Sequence, residues 1–479
     1  MGLVHPLHVL GSLFSGGCSK DICMRALIAL FTGLLTILAS SGSVLAQSLI
    51  RDTEIEIMLR DYTDPFLRVA GLEPSDVGLF IIADPSINAF VTGGQNIYMH
   101  TGTILEASDP LQIKGVLAHE TGHISGAHLA RAGEAMNQAA IPMFATLGLG
   151  VLAAIAGEGG AAGALMASSQ QFGALQFFTY TRTQESAADQ AAVRFLEETG
   201  TSAAGLMEFF ERFRYQEAFS PARRFPYFRT HPLSSARVAS LREAVARSPY
   251  ADQPESPEEI ARLERVQAKI YGFMAEPGHV FYRYPESDQS LPARYARSVA
   301  YYHDARMDEA REEIESLIEE EPDNPFFFEL YGQMLFESGH AEESIQYHQR
   351  SVDLMPQAPL LRINLAMSMI AADDDMYLED AQQHLRVALD IEPDNSFAWY
   401  QLSIVHERNG DTARAQLAIA EQSYALGDSG RAMQFASRAR PQLEPGTPDW
   451  YRASELLAVA QASLPSGGQQ RQRRLGFTE

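Results

Sequence analysis

The sequence predicts an α+β fold that is mostly helical, in which a domain with a small β-sheet precedes an all-α superhelix of repeats. Three short β runs, at 77–83, 87–92 and 96–101, come before a helical H-E-x-x-H motif. In the second half of the chain, prolines recur at roughly the period of a two-helix repeat. With 479 residues, 46% of them hydrophobic, the chain is long enough for two or three domains with real cores.

Charge and cysteine content exclude several classes of partner and site. The formal net charge is −24, so the phosphates of nucleic acid or of an anionic membrane surface would be repelled. Neutral or basic polypeptides are the expected partners. Both cysteines, Cys18 and Cys23, lie near the N-terminus. Any metal bound farther along the chain must therefore use histidine and carboxylate ligands.

Residues 24–46 have the pattern of a secretory signal. A positive residue is followed by an apolar run and by small residues just before Gln47. We expect residues 1–46 to be a leader, with Met24 as an alternative start, and the mature protein to begin near Gln47 and to be exported. The apolar run is short for a membrane span, and an uncleaved anchor is the alternative.

A helix and a small sheet are expected ahead of the H-E-x-x-H motif. Apolar residues recur at helical spacing from Asp52 to Val69 and stop near Gly71. The second and third β runs are joined through Gly93 and Gly94, a pair typical of a tight turn. These runs predict a sheet that lies next to the motif-bearing helix.

His119, Glu120 and His123 form the H-E-x-x-H motif. Its helix is expected to start at Asp109-Pro110 and to run to about Arg131. Positions i and i+4 share one face of a helix, so both imidazoles can reach one metal ion. Glu120 lies beside them, close enough to take a proton from a water molecule. The alternative is a pair of buried histidines in a core helix.

Residues 139–156 contain no charged side chain. That length suits a membrane helix, but Pro142, Gly148 and Gly150 weaken such a helix. The other interpretation is a helical hairpin near the cleft that is buried or contacts the membrane peripherally.

Glu185 and Asp189 lie one helical turn apart in a later segment. Glu185 is the candidate third metal ligand. Asp189 could accept the free N–H of a liganding histidine and so fix its tautomer. Arg182 is expected to pair with one of these carboxylates. The alternative is an ordinary solvated helix face.

Two further histidines are candidate ligands. His128 stands one residue short of the third histidine of a metzincin, and its offset from His123 turns it away from the metal face. We therefore expect His128 to support the site rather than to bind metal. His231 begins a His-Pro turn. It could be a further ligand in a resting state, a donor to the oxyanion of the reaction, or a loop histidine that caps a helix.

Three motifs occur in the order typical of one family. HETGHISGAH, then TRTQESAAD, then THPLSSAR resemble the M48 peptidase family, and the segment at 88–104 resembles the strand pair before its active helix. The resemblance implies a gluzincin-type metallopeptidase domain over 47–270. It also implies one zinc ion per chain, bound by His119, His123 and Glu185.

The same resemblance implies catalytic roles for Glu120, as the general base, and for His231, at the metal. Zinc would polarise the scissile carbonyl while Glu120 takes a proton and later delivers it to the leaving amine. In peptidases of this order an edge strand can hold the substrate backbone by strand addition. We expect that strand here at Asn88, Ala89 and Phe90.

The second half of the chain repeats. Pro322 and Pro356 are 34 residues apart, the tetratricopeptide length, and Pro393 follows after 37. Two kinds of position recur with these prolines: a small residue (Ala310, Ser344, Ala381) and an apolar residue (Tyr301, Leu335, Met369). We expect a loop-rich linker at 271–290, repeats at 291–464 and a disordered tail at 465–479. A plain helical bundle is the alternative.

An exported M48-like peptidase with such repeats implies, by resemblance, a periplasmic endopeptidase that cuts misfolded or stalled proteins. The implied process is quality control in outer-membrane protein assembly, with the repeats docking the assembly machinery or a client. A second hypothesis is a chaperone or scaffold that acts mainly through its repeats. A third is a membrane-embedded peptidase.

Overall fold

The computed structural model describes residues 49–131, 181–219, 227, 231–372 and 374–463. The predictions for the leader, for residues 139–156 and for the tail at 465–479 lie outside these residues. Within the described part of the chain, no helix is both long enough and apolar enough to span a membrane. The fold is mostly helical with one small mixed sheet, which confirms the expected fold class.

The sheet has four strands: β1 (Leu49–Ile50), β2 (Gly78–Ile82), β3 (Ala89–Thr92) and β4 (Asn96–His100). Their spatial order is β1-β2-β4-β3, with β2 parallel to β4 and β3 antiparallel to β4. Gly93 and Gly94 make the turn between β3 and β4 at φ 61° and 102°, values that glycine adopts without strain. This topology leaves β3 as an edge strand.

The described residues of the N-terminal part also form helices α1 (Thr53–Val69), α2 (Thr101–Glu106), α3 (Pro110–Ser125), α4 (181–198), α5 (Ala204–Phe219) and α6 (Ser235–Arg247). The carboxylate of Asp109 caps α3 by accepting the N–H of Leu111, and Pro110 takes the first helical position, as predicted. The core of this part is formed by the sheet and by the inner faces of α1, α3, α4 and α5.

Helix α3 ends earlier than predicted. The sequence suggested a helix to about Arg131, but α3 stops at Ser125, and Ala127 takes a left-handed conformation at φ 50° before helical residues resume at 128–131. Gly126 permits this break because a Cβ there would lie 2.4 Å from Nε2 of His128. The break folds the imidazole of His128 back towards the end of α3.

The loop-rich linker expected at 271–290 is largely helical instead. Helices α7 (Pro257–Met274) and α8 (Pro277–Arg283) occupy much of it, and Val280 of α8 is fully buried. Pro257 and Pro277 lie in the first helical turn, where a backbone N–H has no acceptor within the helix. The absence of this N–H in proline therefore costs no hydrogen bond there. At these positions proline marks the start of a helix rather than a loop.

Ten helices follow in pairs: α9 (Leu291–His303), α10 (Met307–Glu320), α11 (Pro325–Glu337), α12 (Ala341–Leu354), α13 (Pro359–Ala371), α14 (Leu378–Ile391), α15 (Ser396–Arg408), α16 (Thr412–Ala425), α17 (Ser429–Ala439) and α18 (Pro448–Ser463). The first four pairs each combine a helix of 13 residues with one of 14. The fifth pair has 11 and 16 residues and is irregular. Successive helices pack on one another, so the predicted helical repeat is present.

The recurrent positions of the sequence lie inside this stack. The three small residues aligned on the prolines are fully buried, as a close crossing of two helices requires: Ala310, Ser344 and Ala381. The three aligned apolar residues are at most 4% exposed: Tyr301, Leu335 and Met369. The extra residues of the third unit lie beside a short 3₁₀ turn at Asp375–Tyr377. The repeat period of the sequence therefore matches the spacing of buried positions in the stack of helices.

A buried ionic cluster joins the N-terminal part to the repeats. Lys269 of α7 is 4% exposed, and its Nζ lies 2.6 Å from Asp52, which caps α1, and 3.5 Å from Glu54. Glu329 of α11 completes the cluster, with its carboxylate 3.8 Å from the same nitrogen. Burial raises the pKa of Glu329 to about 8, against the opposite pull of Lys269. Lys269 thus pairs with carboxylates of the N-terminal part and lies beside the carboxyl group of Glu329 from the repeats.

We expect Lys269→Met to destabilise the protein by roughly 3–5 kcal/mol, because it removes the cation that pairs with Asp52 and one of the two cations beside the buried Glu54. Chemical denaturation followed by circular dichroism measures the change. The matched control is Arg350→Met. Its ion pair with Asp323 is on the surface, with side chains 45% and 86% exposed, and its loss is expected to cost less than about 1 kcal/mol. Equal effects of the two substitutions would contradict a linking role for Lys269.

Candidate metal centre

Four side chains from three segments converge on one point: His119, His123, Glu185 and His231. Helix α3 supplies the two histidines of the motif, α4 supplies the glutamate, and the turn before α6 supplies the last histidine. One ligand atom from each lies within 4.8 Å of every other. Metal-ligand residue types rarely come this close without a shared cation between them.

The spacing of these atoms fits a tetrahedral metal ion. Nε2 of His119 lies 3.1 Å from Nε2 of His123, 3.3 Å from Nδ1 of His231 and 3.4 Å from Oε2 of Glu185. Ligands about 2.1 Å from a tetrahedral zinc ion are themselves about 3.4 Å apart. Imidazole and carboxylate ligands also suit zinc, and the chain has no cysteine after Cys23. The donor set therefore fits zinc in both chemistry and spacing.

Glu120 is fully buried beside the cluster. Both of its carboxylate oxygens lack a hydrogen-bond donor among the described residues, and Nε2 of His231 is 3.5 Å from the nearer one. Burial raises the pKa of Glu120 above its ordinary value. A carboxylate held without donors and with a raised pKa is suited to accept a proton.

Asp189 orients the first histidine of the motif. Its Oδ1 lies 3.0 Å from Nδ1 of His119, which leaves Nε2 of that ring directed at the cluster. Burial lowers the pKa of His119, but the contacts with Asp189 and Glu185 outweigh it and raise the pKa to about 9. Without a metal the site thus favours a positive charge at the point where a metal ion would sit.

His128 contacts the second histidine of the motif rather than the cluster. Its Nδ1 lies 3.0 Å from Nδ1 of His123, and the side-chain amide of Gln184 donates to its carbonyl at 3.2 Å. Because Nε2 of His123 points at the cluster, its Nδ1 is the atom free to donate to His128. The break after α3 therefore puts His128 in a supporting position.

The arginine beside the two carboxylates is Arg237, and the expectation for Arg182 was wrong. Arg182 is exposed on α4. Arg237 of α6 is 4% exposed and binds Asp189 through two nitrogens, at 2.6 and 2.8 Å, and Glu185 at 3.0 Å. It is the last residue of THPLSSAR, so its place in that motif was the signal that could have identified it.

His231 occupies what would be the fourth position of the tetrahedral set. Its Nδ1 is 3.2 Å from Oε2 of Glu185, while its Nε2 lies 3.2 Å from the carbonyl oxygen of Ala89. The ring stacks on Tyr227 with 4.7 Å between centroids. A catalytic zinc site keeps one position open, whereas four protein donors close it. A set of four ligands that includes His231 would therefore be a closed one.

The free edge of β3 differs in detail from the prediction. The carbonyl of Asn88 accepts the N–H of His100 on β4, so the backbone groups of Asn88 and, two residues on, of Phe90 face the sheet. Asn88 also precedes the strand and is buried. The groups that point outward belong to Ala89 and Val91. Of the three predicted residues, only Ala89 offers its backbone to the free edge.

The chain is similar in sequence or structure to several known proteins. A model described as Peptidase family M48 matches residues 53–245. The chain is 27% identical to a putative beta-barrel assembly-enhancing protease of Vibrio cholerae, over 77% of this chain and 76% of that protein. It is 26% identical to the beta-barrel assembly-enhancing protease of Escherichia coli K12, over 77% and 75%. A crystal structure of MamA is 16% identical, with a TM-score of 0.27, and covers 37% of this chain and 96% of MamA.

We expect Gly122→Ala to weaken metal binding about 10- to 100-fold. A Cβ at Gly122 would lie 2.8 Å from the backbone oxygen of Ala188, so α4 and its Glu185 must shift away from α3. Competition with a chromogenic chelator measures zinc affinity. The control is Gly278→Ala in α8, where a Cβ meets no atom within 4 Å. Unchanged affinity in Gly122→Ala would show that the two helices need not approach this closely.

Proposed function

Because residues 53–245 of the chain are a peptidase family M48 domain, we propose that the protein is a zinc-dependent endopeptidase. The observation that carries the proposal is the close grouping of imidazole and carboxylate donors, all within 4.8 Å of one another, beside the buried carboxylate of Glu120, which has no hydrogen-bond donor among the described residues. His119, His123 and Glu185 would hold one zinc ion per chain. This is the two-histidine, one-glutamate set of many zinc peptidases.

Zinc bound at this set would polarise the scissile carbonyl and make a water molecule more acidic. Side chains of the protein carry out the proton transfers and orient the ligands. Glu120 takes the proton of the attacking water and delivers it to the leaving amine, for which its raised pKa suits it. Asp189 and His128 fix the ring orientation of His119 and His123 through the nitrogens that face away from the metal.

We propose that His231 is a ligand in the resting protein. Its Nδ1 belongs to the same tetrahedral set as the other three donors, which supports this role over that of a loop histidine that only caps α6. With His231 in place the set is full, so substrate and water gain access when the His231 turn moves aside. The displaced imidazole would then be available as a donor to the oxyanion.

The proposed substrate is an extended polypeptide that pairs with β3. Strand addition would use the outward N–H and C=O groups of Val91 and the N–H of Ala89. The carbonyl of Ala89 lies within 3.2 Å of His231 in the closed arrangement. A substrate strand on this edge and a displaced His231 are therefore expected together. Unfolded or stalled chains can supply such a strand, whereas folded proteins rarely expose one.

The proposed process is quality control during outer-membrane protein assembly. The relatives from Vibrio cholerae and Escherichia coli are named beta-barrel assembly-enhancing proteases, and the signal-like pattern at 24–46 supports export to the periplasm. The repeats would bind the assembly machinery or a stalled client. Membrane association through residues 139–156 remains a prediction, tested by carbonate extraction of the mature protein.

A second candidate function is a chaperone or scaffold that seldom cleaves. The closed four-donor arrangement favours it, because a peptidase at rest in this state is inactive. In that case the repeats would carry the function and the metal would be mainly structural.

Glu120→Gln is expected to abolish cleavage of an unfolded protein while zinc remains bound, because the amide cannot accept the proton and Glu120 is not a ligand. A loss of at least about 10³-fold in kcat/KM, with one zinc per chain by metal analysis, is the expected result. Cleavage as fast as that of the unsubstituted protein would overturn the assignment.

The same variant separates the two candidate functions. An assay of barrel-protein assembly in cells that lack the chain would show partial or no rescue by Glu120→Gln if cleavage matters. Full rescue would favour the scaffold.

Val91→Pro is expected to raise the KM for an extended peptide about tenfold, because it removes an outward N–H without removing a bond of the β3–β4 ladder. Val91→Ala is the control, since it trims the side chain but keeps the N–H. Equal KM values for the two variants would show that the substrate does not pair with this edge.

A further inference from the structure

Arg237 contacts three different parts of the candidate metal centre. Its Nε and Nη2 hold Asp189, and its Nη1 lies 3.0 Å from Oε2 of Glu185. The same Nη1 donates at 2.9 Å to the carbonyl of Pro232, the residue after His231. One side chain thus binds a proposed ligand, the carboxylate that orients another ligand, and the backbone of the His231 turn.

The surroundings of Arg237 make these bonds strong. The side chain is 3% exposed, and its guanidinium lies over the ring of Phe210 at 5.1 Å. Burial lowers the pKa of Arg237, but the bonds to Asp189 outweigh it and raise the pKa above its ordinary value, so the group stays charged. A charged donor in a buried site forms hydrogen bonds about twice as strong as neutral ones.

We propose that Arg237 is a positioning residue that tethers the His231 turn to the metal centre. The inference rests on the proposed resting role of His231 and adds what holds it there. The bidentate bonds to Asp189 anchor the guanidinium to α4. The remaining nitrogen then holds the carbonyl of Pro232, and with it the adjacent imidazole, at the fourth position.

The tether differs from the contacts that the imidazole of His231 makes. The contacts of its imidazole with Glu185 and with the carbonyl of Ala89 are made by a side chain that must leave when the site opens. The bond from Arg237 is made to the backbone of the turn, as is the bond from the N–H of His231 to the carbonyl of Tyr227 at 2.7 Å. Movement of the turn must therefore break the bond from Arg237, whereas replacement of the imidazole alone leaves that bond intact.

The absence of cysteine after Cys23 provides a direct test. In the full chain with Cys18→Ser, Cys23→Ser and Glu120→Gln, Leu233→Cys places a single thiol in the turn at a partly buried position. The rate of reaction with a maleimide reports how often the turn opens. The Glu120→Gln background makes the readout independent of whether the chain is a peptidase.

We expect Arg237→Lys to raise the labelling rate about tenfold, because lysine keeps the charge but cannot bind both carboxylates and the carbonyl at once. The control is Arg242→Lys on the same helix, where the arginine is exposed and pairs with Glu211; its rate should change less than about twofold. Circular dichroism and cooperative unfolding establish that both variants are folded. A folded Arg237→Lys variant that reacts no faster than the control would overturn the tether.

His231→Ala tests the tether with Arg237 intact. If Arg237 holds the turn, the labelling rate rises less than about threefold, both with zinc and after chelation. If His231→Ala alone raises the rate about tenfold, the imidazole holds the turn and the inference is wrong. This arm can overturn the tether even if Arg237→Lys fails to fold. Loss of cleavage would bear on the proposed function instead, and neither labelling arm measures cleavage.

Discussion

The close approach of α3 and α4 is the constraint on which the metal centre depends. The two histidines of the motif and the two carboxylates that serve them come from different helices, and they meet because Gly122 lets the helix backbones touch near Ala188. The sheet and α5 pack around this crossing. Such packing fixes the donors before any metal arrives, so binding need not order the chain.

A second constraint couples the metal centre to the repeats. Lys269 is buried between the cap of α1 and Glu329 of α11, and Arg51 pairs with Glu392 of α14 at 2.8 Å. The buried Lys269 cluster tolerates little displacement, because separating its charges leaves them without partners in a medium of low dielectric. The Arg51–Glu392 pair is partly exposed, with side chains 42% and 26% exposed, and contributes less. The N-terminal part and the early repeats therefore form a continuous body rather than two domains on a flexible linker.

Much of the fold could be predicted from periodicity alone. The spacing of H-E-x-x-H places two imidazoles on one helix face, and the recurrent prolines give the period of the helix pairs. Sequence could not show which arginine meets Glu185 and Asp189, since Arg182 is nearer along the chain but Arg237 is nearer in space. The break after Ser125 could not be predicted, because an alanine in the left-handed conformation has no signature in the sequence.

The continuous contact between the repeats and the N-terminal part has a consequence for any bound client. In the proposed function, a partner held by the later repeats stays near a set distance from β3, because the N-terminal part and the repeats belong to one compact unit. The client's strand then meets the edge strand β3 within one complex, so the effective concentration of that strand at β3 is high. The distance from the docking position to β3 therefore determines which segments of the client meet the edge strand. Segments that can span that distance encounter β3 often, and other segments hardly ever do.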